Sequence, residues 1–235
     1  MDNHNKIIIQ VANNVFSPMG FFQKGKSRTW LYDCGYCFVM VEFQPSAYSR
    51  GSFCNVGIAF LFEYFGGLNK TLGFDYGCKR ITINNTQFVE YNNDDEIFEK
   101  QIFQLAQYAL KYAKVLMRFK SLKYANRCMS KLIFQKRLKE MLGKWNGPIF
   151  DYYNAAMIKF LLGELNSGRR LIEKLNSINL ESPFKEWAEQ SRSEFCNDEL
   201  TAEQAKTKVC SMVNRQRNYF KQKGSFRKMP DINFL

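Results

Sequence analysis

The chain has 235 residues, 46% hydrophobic and 24% charged, a length and composition suited to one large core or two small ones and unlike a disordered or fibrous protein. No apolar run approaches the roughly 18 residues that a membrane-crossing helix needs, and the opening MDNHNKIIIQVANNVF lacks the basic leader and cleavage site of a secretory signal. The seven cysteines are odd in number and irregularly spaced, so they do not read as a disulfide framework, and a reducing cytoplasm is the expected setting.

The net charge of +12 is unevenly spread: residues 1–93 carry 8 Lys/Arg against 6 Asp/Glu, and residues 94–235 carry 26 against 16. Within the second part, 111–144 holds 11 basic residues and one acid, 206–228 holds 8 basic residues and none, and the stretch between is acidic. This alternation predicts a patterned polar surface more than a uniformly cationic tail.

In chain order, apolar Ile7, Ile8, Val11 and Val15 predict a helix over residues 3–16, ended by Ser17-Pro18-Met19-Gly20. Strand signals follow to Tyr91. A strand pair or bent strand is expected over Phe21–Leu31, then strands at Tyr36–Phe43 and Phe53–Phe65, with a turn at Gly66-Gly67-Leu68-Asn69. Shorter strands are expected at Thr71–Tyr76, Lys79–Asn84 and Thr86–Tyr91. Asn84-Asn85 suits a tight hairpin turn, because Asn tolerates left-handed backbone. Short connections without intervening helices predict an antiparallel sheet.

Asn92-Asn93-Asp94-Asp95-Glu96 marks the sharpest boundary, with an acidic first turn matched to a helix dipole. Phe98, Ile102, Leu105, Ala109, Tyr112, Leu116 and Phe119 then recur at spacings of four and three, a long amphipathic helix over 95–119. Further helices are predicted at 121–131, 133–142, 148–164, 166–177, 183–195 and 200–222. The pair 148–164 and 166–177 has features of a tetratricopeptide hairpin, but no second copy occurs, so an ordinary antiparallel pair is the better reading. The fold class expected is therefore α+β: an antiparallel sheet with one short helix, then an all-helical half packed against it. The chain divides on this reading at 93/94, with one shared core allowed.

The most specific polar pattern lies between Arg28 and Gly67. Alternation on Tyr36–Gln44 sets Val39, Val41 and Phe43 on one face, and Phe38, Met40, Glu42 and Gln44 on the other. Glu42, Gln44 and, on the return strand, Asn55 then enter a half-buried sheet and require partners, for which Arg28 and Arg50 are candidates. Two readings stay open. One is a structural network that holds the loop 44–52. The other is a recognition pocket made of Arg28, Trp30, Asp33, Glu42, Gln44, Ser46, Tyr48, Arg50 and Asn55.

The order R-T-W, D-x-G, V-E-F-Q-P-S, R-G-S and N-V-G over residues 28–57, with Gly20-Phe21-Phe22-Gln23-Lys24-Gly25 before it, resembles a bacterial family called domain of unknown function 4304. A weaker match falls at Arg215–Pro230. The resemblance implies a bacterial protein of the immunity or defence-accessory kind, and it implies no chemistry. This chain departs from the family pattern after Asp33, where Cys34-Gly35-Tyr36-Cys37 replaces the expected His and aromatics.

Cys34-x-x-Cys37 has no second cysteine pair for a zinc site and precedes a strand, whereas a redox pair would open a helix. A place in a turn or on opposite sheet faces is expected. One histidine, His4, cannot build a Ser-His-Asp or Cys-His site, and no phosphate-cradling loop occurs. Neither a cofactor nor a metal is expected, and catalysis is expected less than binding; a carboxylate site using Glu42, Asp33 or Asp75 is the residual enzymatic reading.

A second candidate surface runs through Lys111, Lys114, Arg118, Lys120, Lys123, Arg127, Lys136 and Arg137, with Tyr112, Phe119, Tyr124 and Phe134 interleaved. Such a pattern suits nucleic-acid backbone tracking and base stacking. It equally suits a solvated helix face over core aromatics. The function expected first is a non-enzymatic protein-interaction module, with a nucleic-acid-binding protein as the alternative.

Overall fold

A computed structural model describes residues 3–141, 149–178, 180–226 and 228–230, with side chains left undescribed at 136–141. The chain is α+β: an N-terminal antiparallel sheet followed by a mostly helical half. Among the described residues no helix is long and apolar enough to cross a membrane.

Helix α1 spans Asn3–Phe16, where the 3.6-residue periodicity placed it. It stops at a 3-10 turn whose closing Gly20 takes φ 84°, a conformation that glycine enters without Cβ strain. Strands β1 (Phe22–Gln23), β2 (Thr29–Asp33), β3 (Cys37–Gln44), β4 (Gly51–Phe60) and β5 (Tyr76–Arg80) lie side by side in that order. Strand β6 (Phe88–Glu90) pairs with the start of β4, matching Gly51 to Glu90 and Phe53 to Phe88. The later part of β4 pairs with β5, matching Asn55 to Arg80 and Ile58 to Tyr76.

The alternation on β3 holds. Trp30, opposite Val41, packs edge-on against Phe43 at 5.7 Å and tilts on Phe16 of α1 at 6.2 Å. Phe38 instead meets Phe22 at 6.1 Å and Phe226 at 6.5 Å. Both faces of β3 are thus covered over Cys37–Val41, and only Glu42 and Gln44 remain half-exposed.

Two strand predictions change. In place of the two strands expected at 71–76 and 79–84 there is one, β5, which covers Tyr76–Arg80 and runs through Gly77 at φ 61° with a register shift opposite Val56/Ile58, while residues 71–75 are not strand. A glycine that reads as a turn in sequence is here a bulge in a continuous strand. The strand expected over 53–65 ends at Phe60. Leu61 and Phe62 are buried without being strand, because an apolar run records burial and not backbone hydrogen bonding. The Asn84-Asn85 turn forms as expected, with φ 48° and 64° and reciprocal 2.8 Å backbone bonds between Ile83 and Thr86.

Helix α2 (Asp95–Leu116) is capped by Asp94, whose carboxylate accepts the Ile97 N–H at 3.0 Å. Then come α3 (Leu122–Met141), α4 (Ile149–Leu161), α5 (Leu165–Asn176), α6 (Phe184–Phe195) and α7 (Ala202–Gln222). The break expected near 132 does not occur, since no Gly or Pro interrupts α3 there.

The chain forms two compact units that interleave along the sequence. The first comprises the described residues of Met1–Ala59, Leu72–Arg118 and Phe220–Ile232; the second comprises those of Phe60–Thr71 and Phe119–Tyr219. The sequence reading cut the chain at 93/94, whereas contacts group α2 with the sheet. In the first unit, α2 packs on α1 and β3, and the Tyr112 hydroxyl donates to Gly77 O at 2.9 Å. In the second, the segment that follows β4, residues 61–71, is fixed by side chains. Asn69 and Gln216 exchange bonds of 2.7 and 2.9 Å, and the Tyr153 hydroxyl donates to Glu63 O at 2.8 Å. Phe65 takes φ 55°, held there by ring contacts to Phe184 at 5.5 Å and Trp187 at 5.2 Å.

Candidate functional site

The nine residues proposed as one pocket separate into five places. Trp30 is fully buried, and its indole N–H donates to Asn13 Oδ1 at 2.9 Å, so it is a core residue with a satisfied polar end. Asp33 closes the turn between β2 and β3, where its carboxylate accepts the Gly35 N–H at 2.7 Å. That turn lies at the far end of β3, about 23 Å from Gln44 at roughly 3.3 Å per residue. Neither residue belongs to the loop.

Gln44 and Asn55 form a network with Arg80. The Asn55 amide donates to Gln44 Oε1 at 2.8 Å, and Arg80 donates to Asn55 Oδ1 at 3.1 Å and to Gln44 Oε1 at 2.9 Å. The Arg80 guanidinium also lies over the Phe53 ring at 4.3 Å. Arg28 and Arg50 were the expected partners of these amides; the strand register supplies Arg80 instead. The signal was available in principle, because Arg80 directly faces Asn55 once β4 and β5 are aligned.

Glu42 stays half-buried near Arg28. Burial lowers the Arg28 pKa, and the Glu42 charge offsets part of that effect. Arg28 donates to Gly51 O at 3.4 Å, the long end of hydrogen-bond range.

Ser46, Tyr48 and Arg50 do come together on the loop between β3 and β4. The Ser46 hydroxyl accepts the Tyr48 N–H at 3.1 Å, a local turn that shapes the tip. The base is held on both sides. The hydroxyl of Ser52, fully buried, has one proton, which lies within reach of Phe53 O at 2.7 Å and Gln44 O at 3.2 Å, and Tyr91 N–H donates to Arg50 O at 2.9 Å. Gly51 adopts φ 144°, and a Cβ there would sit 2.1 Å from Val89 O, so β6 approaches too closely for any side chain. Tyr48 stands 99% exposed at the tip. Beneath it lies a cavity of 580 Å³ lined by the loop, Arg28, and His4 and Asn5 of α1.

The basic surface divides between the units. Lys111, Lys114 and Arg118 are exposed in the first unit, and Lys120, Lys123 and Arg127 in the second. Lys136 and Arg137 belong to α3, but their side chains lie outside the described residues. Of the interleaved aromatics, Phe119 is buried and meets Tyr124 edge-on at 5.8 Å, and Tyr112 is half-buried on Gly77; Phe134 is exposed. Tyr108, which sequence reasoning did not single out, is exposed beside Lys111, whose ammonium lies 5.1 Å from the ring centre.

A second cavity, of 540 Å³, lies wholly in the second unit and was not anticipated. Its charges are already mutually engaged. Arg215 forms a two-bond pair with buried Glu63 at 2.9 and 2.8 Å, and Lys208 meets Glu194 at 3.3 Å and the Phe195 ring at 5.2 Å. Such paired charges explain themselves as ties between segment 60–71, α6 and α7.

The remaining chemistry is quiet. Cys34 and Cys37 are buried in the β2–β3 turn, with Cys34 N–H donating to Cys37 O at 2.9 Å. Burial, then the neighbouring Cys34 thiol, pushes the Cys37 thiol up, and burial does the same to Cys54, opposite to what a nucleophile requires. Among the described residues no three His, Cys, Asp or Glu converge as a metal site would require. Compared with known proteins, the chain matches no family model, no curated protein and no solved structure. The reading of function therefore rests on the loop and its cavity.

Proposed function

We propose that this chain is a non-enzymatic protein-interaction module whose contact surface is the loop Pro45–Gly51. One observation carries the reading: Tyr48 is 99% exposed on a short loop whose base is clamped by buried side chains and by β6. A tyrosine kept fully in water contributes nothing to folding, while a rigid base removes the ordering cost that a mobile loop would incur on binding. Tyr and Arg are also the residues most enriched among interface anchors, and Tyr48 and Arg50 stand two residues apart. The immunity or defence-accessory role implied by the family resemblance is compatible with such a module.

The test is affinity capture from the native host with the tagged chain and with the Tyr48→Ala/Arg50→Ala variant. A discrete partner should be retained by the native chain and lost with the variant, while circular dichroism shows both folded. Equal recovery would remove the loop from the interface.

A second reading, nucleic-acid binding, is favoured by one observation in the first unit: Lys111 and Lys114 on α2, and Arg118 just past its end, are exposed, with the exposed Tyr108 ring beside Lys111. It requires binding to single- or double-stranded nucleic acid that weakens steeply with salt and disappears when Lys111, Lys114 and Arg118 are reversed in charge.

A further inference from the structure

Resting on the loop reading above, the geometry points to the cavity beneath Tyr48 as a binding site for an acidic segment of a protein partner, with a carboxylate received between Arg28 and Arg50. Among the described lining residues the charged side chains are these two arginines, with His4 beside them and no carboxylate. The Arg50 guanidinium has no hydrogen-bond or ion-pair partner among the described residues. Arg28 makes one long bond, to Gly51 O at 3.4 Å, which leaves most of its five N–H donors to be satisfied from the cavity side. The nearest acids are otherwise disposed. Glu42 lies beside Arg28 on β3, Asp95 is engaged by Asn3 and by the Tyr91 hydroxyl, and Glu90, opposite Gly51 on β6, forms no ion pair among the described residues.

A half-buried guanidinium with a partly satisfied donor set favours an anion, because arginine's planar fork matches a carboxylate through two parallel bonds. The cavity, at 580 Å³, is large enough to take an entire side chain with neighbouring backbone. A fully exposed Tyr48 at its rim supplies the apolar anchor such a segment would need.

Exposed Lys6 follows Asn5 on α1 and exposed Lys26 precedes Arg28 by two residues, so cations continue beyond the cavity. The protein-contact reading of the loop assigns the site to a carboxylate, and nucleic acid is the competing occupant that the test separates.

The test uses the full chain and a fluorescein-labelled oligoglutamate peptide, with anisotropy read at physiological salt. Arg50→Glu lowers the net charge from +12 to +10, whereas Lys111→Glu/Lys114→Glu lowers it to +8. If the cavity holds the carboxylates, Arg50→Glu weakens binding about tenfold or more, Arg50→Lys keeps part of it, and the helix variant changes it by less than about threefold. A larger loss in the helix variant would show diffuse attraction and overturn the inference. So would a single-stranded oligonucleotide of equal charge that binds tighter than the peptide and depends on Arg50. If a captured partner is lost with Tyr48→Ala but fully retained by Arg50→Glu, the loop reading stands and this inference fails.

Discussion

Gly51→Ala tests whether the loop is held by its base. The added Cβ would lie 2.1 Å from Val89 O, 2.8 Å from the Phe88 ring and 3.0 Å from Glu90 Cα, in a backbone conformation at φ 144° that L residues rarely adopt. The Val89 oxygen is main chain, so no rotamer relieves the overlap; β6 has to retreat by about 0.9 Å to reach the 3.0 Å limit of real Cβ contacts. Retreat strains the Gly51–Glu90 pairing and the Tyr91 N–H bond to Arg50 O. One lost backbone bond contributes about 1 kcal/mol, and the strained backbone about 1–3 kcal/mol. The sum, about 2–4 kcal/mol, corresponds to roughly 5–15 °C in Tm for a chain of this size. Differential scanning calorimetry gives the readout, with Gly73→Ala as the control, because a Cβ at Gly73 meets nothing within 4 Å. Gly51→Ala should also weaken any ligand of the loop, since Arg50 and Tyr48 lose their fixed base. A Tm for Gly51→Ala within about 1 °C of the Gly73→Ala control would refute the close approach of β6 and, with it, the account of a preorganised loop.

Four further outcomes follow from other parts of the chain. Asp94→Ala removes the cap bond to Ile97 and should cost about 1 kcal/mol by urea denaturation, with Asp94→Asn retaining most of it. Arg215→Met leaves the buried Glu63 carboxylate uncompensated, and because Arg215 is itself 56% exposed the cost should be about 1–3 kcal/mol, below that of a fully buried pair. The double variant Glu63→Gln/Arg215→Met should recover part of it, and simple additivity of the two single changes would contradict the pair. The buried thiols of Cys37 and Cys54 and the half-buried one of Cys196 set a pH dependence. Burial raises Cys54 and Cys37, and pushes Cys196 up to about 11, so in the folded state they keep protons that the unfolded chain loses above the free-thiol value of about 8.5. Their contribution is complete below about pH 8.5 and falls as pH rises toward the folded value, so Tm should decline across that window. Exposed Cys78 should be alkylated in the native protein well before Cys34, Cys37 or Cys54; equal rates would contradict their burial.

Features that a few neighbouring residues decide were legible along the chain. Asp94 caps α2, Gly20 ends the turn after α1, and Asn84-Asn85 makes a hairpin, because each outcome depends on the conformation of one or two residues and on a partner within a turn. The period-2 faces of β3 were readable for the same reason. Tertiary structure decided what adjacency in sequence cannot carry. Whether Gly77 turned the chain or bulged a strand depended on β4 beside it. Arg80, not Arg50, reached Gln44 and Asn55 because the β4–β5 register set it there, and Arg215 met Glu63 across 152 residues. The run from Arg28 to Arg50 read as one polar cluster, yet Asp33 within it lies a length of β3 away from the end where Arg28 and Arg50 meet. Arg50, displaced from the partners expected for it, was left at the rim of the cavity beneath Tyr48.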